Sequence, residues 1–123
     1  MENTFFTASH EWVKFLDDNH AEVGITDYAQ HALGDIVYVN LPEAGDKVME
    51  ASRFGDVESV KAVSDLISPI SGTVVETNDV LVNTPEKLNE DAMGTWILKV
   101  EGNFDRTGLL TKKQYETLLA QGH

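Results

Sequence analysis

The β-forming residues of this chain arrive in short runs, each closed by glycine, proline or an Asp/Asn cluster, with no helix-length pattern between successive runs. That spacing leaves no room for the crossover helices a parallel sheet needs, so it predicts an antiparallel sandwich or barrel. Residues 11–16 and 21–25 read as strands joined by the turn-prone Asp17-Asp18-Asn19-His20, a hairpin. Asp27 is expected to cap a short helix over 27–33, with Gln30 three residues on and Gly34 as the stop. Residues 35–41 form a further strand, Pro42, Gly45 and Asp46 supply a loop, and another strand begins at Lys47. Strands over 72–78 and 95–100 follow, with one helical turn over 84–88 that carries Pro85 at its start. A C-terminal helix, about 111–121, has Thr111 and Gln114 as a capping box, Leu110 and Tyr115 as a hydrophobic staple, and Gly122 as its stop.

The stretch from Gly55 to Gly72 is ambiguous by periodicity, because Val57, Val60, Val63 and Ile67 also fit one helical face. β-Branched residues dominate it and Gly55 and Pro69 bound the run, which favours strands. Lys61 then falls midway between two runs of similar length, where a tight turn would set it at a hairpin tip. Val60-Lys61-Ala62 contains no preferred turn residue, so propensity does not call for that turn. A lysine that catalyses in place needs burial or a cationic neighbour. No other Lys or Arg lies between Arg53 and Lys87, and the nearby Glu58 and Asp65 favour the ammonium. Two readings remain, a surface lysine and an attachment point, and pattern alone favours the first.

At 123 residues and 41% hydrophobic, the chain is expected to be one domain over 1–123. Its 9 Lys and Arg against 21 Asp and Glu give a net charge of −12. Such a charge repels phosphate backbones and anionic membranes, and suits basic patches on protein partners. No nucleic-acid or membrane partner is therefore expected. Without cysteine there is no disulfide, thiol nucleophile or thiolate metal site. Residues 1–6 lack a basic region and an apolar run, and no later stretch approaches the length of a membrane span. That pattern points to the cytoplasm, or to the mitochondrial matrix for a mature eukaryotic form.

His10, His20, His31 and His123 show no ligand-like spacing and read as surface histidines, so no metal site is expected. No serine lies in a nucleophile elbow, the glycines make no phosphate cradle, and the carboxylates are too numerous for one pair to stand out.

Longer motifs run nearly end to end. They are His10-Glu11-Trp12-Val13, Val23-Gly24-Ile25-Thr26-Asp27-Tyr28-Ala29-Gln30, Leu33-Gly34-Asp35-Ile36-Val37, Leu41-Pro42-Glu43, Glu58-Ser59-Val60-Lys61-Ala62-Val63-Ser64-Asp65 and Ser68-Pro69-Ile70-Ser71-Gly72. Through them the sequence resembles the glycine cleavage system H proteins, the lipoyl carriers of that system. The resemblance implies a mainly β fold, a lipoyl/biotinyl-type barrel-sandwich of two antiparallel sheets with short helices and a C-terminal helix. It also implies that Lys61, on an exposed hairpin turn, carries lipoate as an amide. Biotin carriers share the architecture but flank their lysine with methionines, where this chain has Val60 and Ala62. The amide would remove one positive charge and leave 8 cations against 21 acids, a net charge of −13.

By the same resemblance the chain is a non-catalytic carrier, expected to be a monomer when free. It would take the aminomethyl group of glycine from a pyridoxal-phosphate glycine decarboxylase (P protein) to an aminomethyltransferase (T protein). Dihydrolipoamide dehydrogenase (L protein) would then reoxidise it, and a lipoylating enzyme would modify it. The alternative role is an H-like lipoate relay that donates lipoyl groups to other lipoyl domains. Ser9, Glu11 and Asp65 match the family's cleft, where the loaded arm folds back and acids favour its ammonium. For Glu11 and Asp65 a solvent-facing strand charge is an equal alternative. Glu58 is expected to be recognised by the lipoylating enzyme or the partners. The chain departs from the family pattern in the segment 91–96, which looks one residue short, and at Ala51, where a glycine is common.

Overall fold

A computed structural model describes residues 3–122, so His123 lies outside the described residues. In chain order the elements are β1 (Thr4–Phe6), β2 (Glu11–Phe15), β3 (His20–Ile25), α1 (Asp27–Leu33), β4 (Ile36–Asn40), β5 (Lys47–Val48), β6 (Arg53–Ser59) and β7 (Val63–Ile67). They continue through β8 (Gly72–Thr77), α2 (Val80–Asn83), α3 (Lys87–Glu90), a 3-10 turn (Ala92–Gly94), β9 (Leu98–Glu101) and α4 (Lys112–Ala120). One sheet has six strands in the order β1-β2-β3-β9-β8-β5, and the other has three in the order β4-β6-β7. Every pairing is antiparallel, as the short unconnected runs required.

Strand alternation divides the apolar residues between two layers. Val13, Val23, Val74, Leu98 and Val100 of the larger sheet meet Ile36, Val39, Val57 and Leu66 of the smaller one in a common core. On the opposite side of the larger sheet Phe6, Trp12 and Tyr115 form a second cluster beneath α4, joined by Leu110 and Leu118. Phe6 pairs with Trp12 and Trp12 with Gly24 across β1, β2 and β3, so the indole lies flat over a residue without a side chain. The indole Nε1 donates to the Ala92 carbonyl at 3.1 Å, which ties the 3-10 turn to the sheet.

The capping box of α4 is present as the sequence predicts, and its helix runs Lys112–Ala120. The helix α1 also forms over 27–33 and stops at Gly34, but its cap is Thr26 rather than Asp27. Thr26 is the residue with extended backbone, and its Oγ1 accepts from the Ala29 amide at 3.2 Å. Asp27 lies inside the first turn and accepts from the Gln30 side chain. The expected strand over 95–100 is Leu98–Glu101, because Asp91 caps the 3-10 turn and delays it. The turn expected over 84–88 appears as α3 slightly further on. β1 and α2 were not anticipated, since three and four residues carry no readable period. No helix among the described residues is long and apolar enough to cross a membrane.

Candidate functional site

Strands β6 and β7 form a hairpin whose last cross-strand pair is Glu58 with Val63, and Lys61 stands exposed in the turn between them. The turn has a local cause in Ser59. Its amide donates to the Ala62 carbonyl at 2.8 Å, and its hydroxyl oxygen accepts from the Lys61 and Ala62 amides at 3.3 and 3.2 Å. A serine hydroxyl can hold a turn in this way where the central residues have no turn preference. The tip is further tied to the segment after α1, because the Val60 amide donates to the Asp35 carbonyl at 3.0 Å. A Cβ on Gly34 would lie 3.6 Å from Lys61 Cε, so the lysine stem runs beside the end of α1. Replacing Ser59 by alanine removes the hydroxyl acceptor. The Lys61 and Ala62 amides should then exchange roughly two- to fivefold faster by NMR, the equivalent of ~0.5–1 kcal/mol, with global stability scarcely changed. Unchanged exchange at both amides would contradict this role.

The expected cleft residues separate into two environments. Ser9 is exposed, whereas Glu11 is only 2% exposed, so it is not a solvent-facing strand charge. Its Oε1 accepts from the Thr7 hydroxyl at 2.8 Å and from the Ser9 hydroxyl, and its Oε2 accepts from the Ile67 amide at 3.3 Å. Above these groups a cavity of about 190 Å³ is lined by Thr7, Ser9, Ala51, Ile67 and Leu109 among others. Asp65 lies two residues before Ile67, roughly 7 Å along the strand. It is exposed and receives the Arg53 Nε at 3.1 Å, and the same guanidinium bonds Asp56. Asp65 is therefore bound to Arg53 and makes no ion pair with Lys61. Glu58 is half-buried and outward, with no ion pair among the described residues. A larger cavity of about 430 Å³ between α1 and α4 is lined by none of the predicted site residues.

Burial pushes the Glu11 carboxyl above its ordinary pKa, while hydrogen bonds from Ser9, Thr7 and the Ile67 amide pull it back only in part. An acid with a raised folded value contributes stability that is fully present below its unfolded value of 4.5 and is lost as pH rises through the folded value. Relative to a Glu11→Gln variant, the wild-type chain should lose stability as pH climbs above about 4.5 in chemical denaturation. A difference that stays constant with pH, or moves toward the wild type, would contradict it.

His10 is not a plain surface histidine. Its φ of 72° turns the chain into β2, its ring lies 4.4 Å from that of Tyr28, and its Nδ1 is 2.8 Å from Tyr115 Oη. Tyr115 Oη also meets Thr26 Oγ1 at 2.8 Å, so His10 and Thr26 clasp α4 against the sheet. Within His10-Glu11-Trp12 the flanking pair is thus structural, and the central acid is buried beneath Thr7, Ser9 and the Ile67 amide. Ala51, at φ 67°, adopts the left-handed backbone that glycine prefers, which explains why a glycine is common there.

Residues 4–122 match the family model "Glycine cleavage H-protein". The chain belongs to the glycine cleavage H-protein family. The glycine cleavage system H protein of Alkaliphilus oremlandii is 52% identical over 112 residues, covering 89% of this chain and 87% of that protein. That of Lachnoclostridium phytofermentans is 45% identical over 116 residues, covering 94% and 91%. A crystal structure of a glycine cleavage system H protein from Mycobacterium marinum superposes with a TM-score of 0.90 at 39% identity, covering 96% of this chain and 97% of that one. Membership of the H-protein family places the chain among carrier subunits, and the two-sheet architecture matches that of the solved relative.

Proposed function

We propose that the chain is a single lipoyl-carrier domain of glycine cleavage, with lipoate held as an amide on Lys61. In that role it passes the aminomethyl group of glycine from a pyridoxal-phosphate decarboxylase to an aminomethyltransferase, and a dihydrolipoamide dehydrogenase restores the disulfide. The observation that supports this most is the placement of Lys61. Of the lysines in the chain it alone lies outside a strand or helix, at an exposed turn where no carboxylate among the described residues pairs with it. A lipoyl amide there supplies a disulfide at the end of a long stem, able to accept and release a one-carbon amine unit.

The chain's own residues present and shelter. Ser59 shapes the turn, and the bond from Val60 to Asp35 holds it against the body of the protein. Ser9 lines the cleft with its hydroxyl bonded to the buried Glu11 carboxyl behind it, an arrangement that favours a cationic amine. As a carrier the chain acts by tethering its cargo at high effective concentration. A net charge of −12 speeds encounter with basic partner surfaces, an effect that fades with salt.

The test is intact mass after incubation with a lipoate–protein ligase, lipoate and ATP. One lipoyl group should be gained, and glycine–bicarbonate exchange by the decarboxylase should require the modified chain. A chain that never gains the lipoyl mass contradicts the reading.

A further inference from the structure

The cavity above Ser9 has one charged residue in its wall, Glu50, which makes no ion pair among the described residues. Glu50 stands in a turn whose backbone is held at three successive amides. Its own amide donates to the Ser71 hydroxyl oxygen at 2.8 Å, that of Ala51 to the Ser68 carbonyl at 2.9 Å, and that of Ser52 to the Met49 carbonyl at 3.0 Å. Ala51, at φ 67°, takes the left-handed position that closes such a turn. A Cβ on Gly108 would lie 3.3 Å from Glu50 Oε2, so the carboxylate reaches across to the segment before α4 that completes the cavity wall with Leu109. The other charges nearby are engaged. Glu11 is buried behind Ser9, and its oxygens are filled by the Thr7 and Ser9 hydroxyls and the Ile67 amide. Asp65 does not line the cavity and already holds Arg53, which it shares with Asp56. In the segment before α4, Asp105 accepts from Thr107, and Arg106 lies over the Phe15 ring with its Cζ 3.8 Å from the centroid.

We infer that Glu50 is the carboxylate that meets the aminomethyl cargo in this cleft and keeps its amine protonated. This inference rests on the assignment of lipoate to Lys61 and of an aminomethyl group to the lipoyl sulfur. An aminomethyl thioether comes apart when the nitrogen lone pair expels the thiolate. A C=N bond forms, and the C–S bond breaks with its electron pair left on sulfur. One water then converts the iminium to formaldehyde and ammonium, and the sulfur takes up a proton. The ammonium form of the cargo has no lone pair with which to begin. A carboxylate at contact distance favours that form, and at an exposed site it raises the amine pKa by about half to one unit. Glu50 thereby lengthens the life of the cargo between partners, and it does so from a position that the motifs around Lys61 do not include.

The experiment uses the full chain, lipoylated, reduced, and loaded by the decarboxylase with glycine. The enzyme is removed by gel filtration, and loss of the adduct is followed by intact mass after acid quenching. Formaldehyde with an ammonium salt, the reverse of the decay, loads any variant that the decarboxylase does not. The chain has no cysteine, so the reduced lipoyl group supplies the only thiols. Glu50→Gln should lose the adduct roughly three- to tenfold faster at neutral pH, and Glu50→Lys faster still. Removing the carboxylate lowers the amine pKa, so the pH at which loss sets in should move about half to one unit lower in Glu50→Gln. A merely looser turn would not move that profile. Glu86→Gln removes the same charge from an exposed position at the start of α3 and should decay as the wild type does. If Glu50→Lys fails to fold, Glu50→Gln and Glu86→Gln carry the comparison. Equal decay of Glu50→Gln and wild type, an unmoved pH profile, or the same acceleration in Glu86→Gln overturns the role of Glu50. A wild-type chain that gains no lipoyl group, or no adduct once lipoylated, overturns the carrier reading instead.

Discussion

A Lys61→Arg chain is expected to take up no lipoyl group and to leave glycine–bicarbonate exchange at its background rate, while melting within about 1 °C of the wild type. Arginine keeps the positive charge and a long stem, but its guanidinium nitrogens share their electrons across a delocalised plane and do not form a stable amide with an activated acyl group. The fold should not notice the change. Lys61 is exposed, the turn is held by Ser59 and by backbone bonds, and the lysine side chain makes no ion pair among the described residues. The other lysines sit in regular elements, and Lys99 and Lys87 already face Glu76 and Glu90. Intact mass decides the matter. A lipoyl group that appears on the arginine variant would move the attachment to one of those lysines.

The second large effect is structural and acts on the strand that leads to the turn. Gly55 lies at the bulge of β6, where a Cβ would overlap the Asn40 carbonyl oxygen of β4. That oxygen belongs to backbone paired in the smaller sheet and cannot swing aside like the end of a flexible side chain. Gly55→Ala should therefore part β4 from β6 or strain both, at a cost of about 3 kcal/mol. For a chain of this size that corresponds to a melting temperature roughly 10 °C lower. Lipoyl uptake should fall with it, since β6 carries Glu58 and Ser59 into the turn. An alanine variant that melts with the wild type would show that β4 yields freely there.

Much of the site was legible because its causes are local. The two runs on either side of Lys61 have similar lengths, so a hairpin between them places the lysine at its tip. The missing signal was Ser59, one residue before Val60-Lys61-Ala62. Its hydroxyl accepts two amide hydrogens and makes a turn that central-residue preferences do not announce. Asp27 misled for a related reason. Asp and Thr both cap helices, and only the extended backbone at Thr26 decides which of them does so. His10 looked like a surface histidine because its partner, Tyr115, is 105 residues away.

By itself the sequence determined that this chain forms short antiparallel strands with a capped C-terminal helix, and that one lysine stands between two matched strands. Those outcomes follow from β-branching, glycine and proline placement, and capping residues that act over a few positions. Only the tertiary structure decided that Glu11 is buried and bonded to Ile67, that Asp65 is bound to Arg53, and that Tyr38, Glu58 and Val63 share an exposed face. Burial, charge pairing and cross-strand register depend on which distant segments the folded chain brings together, and no local pattern along the chain encodes that choice.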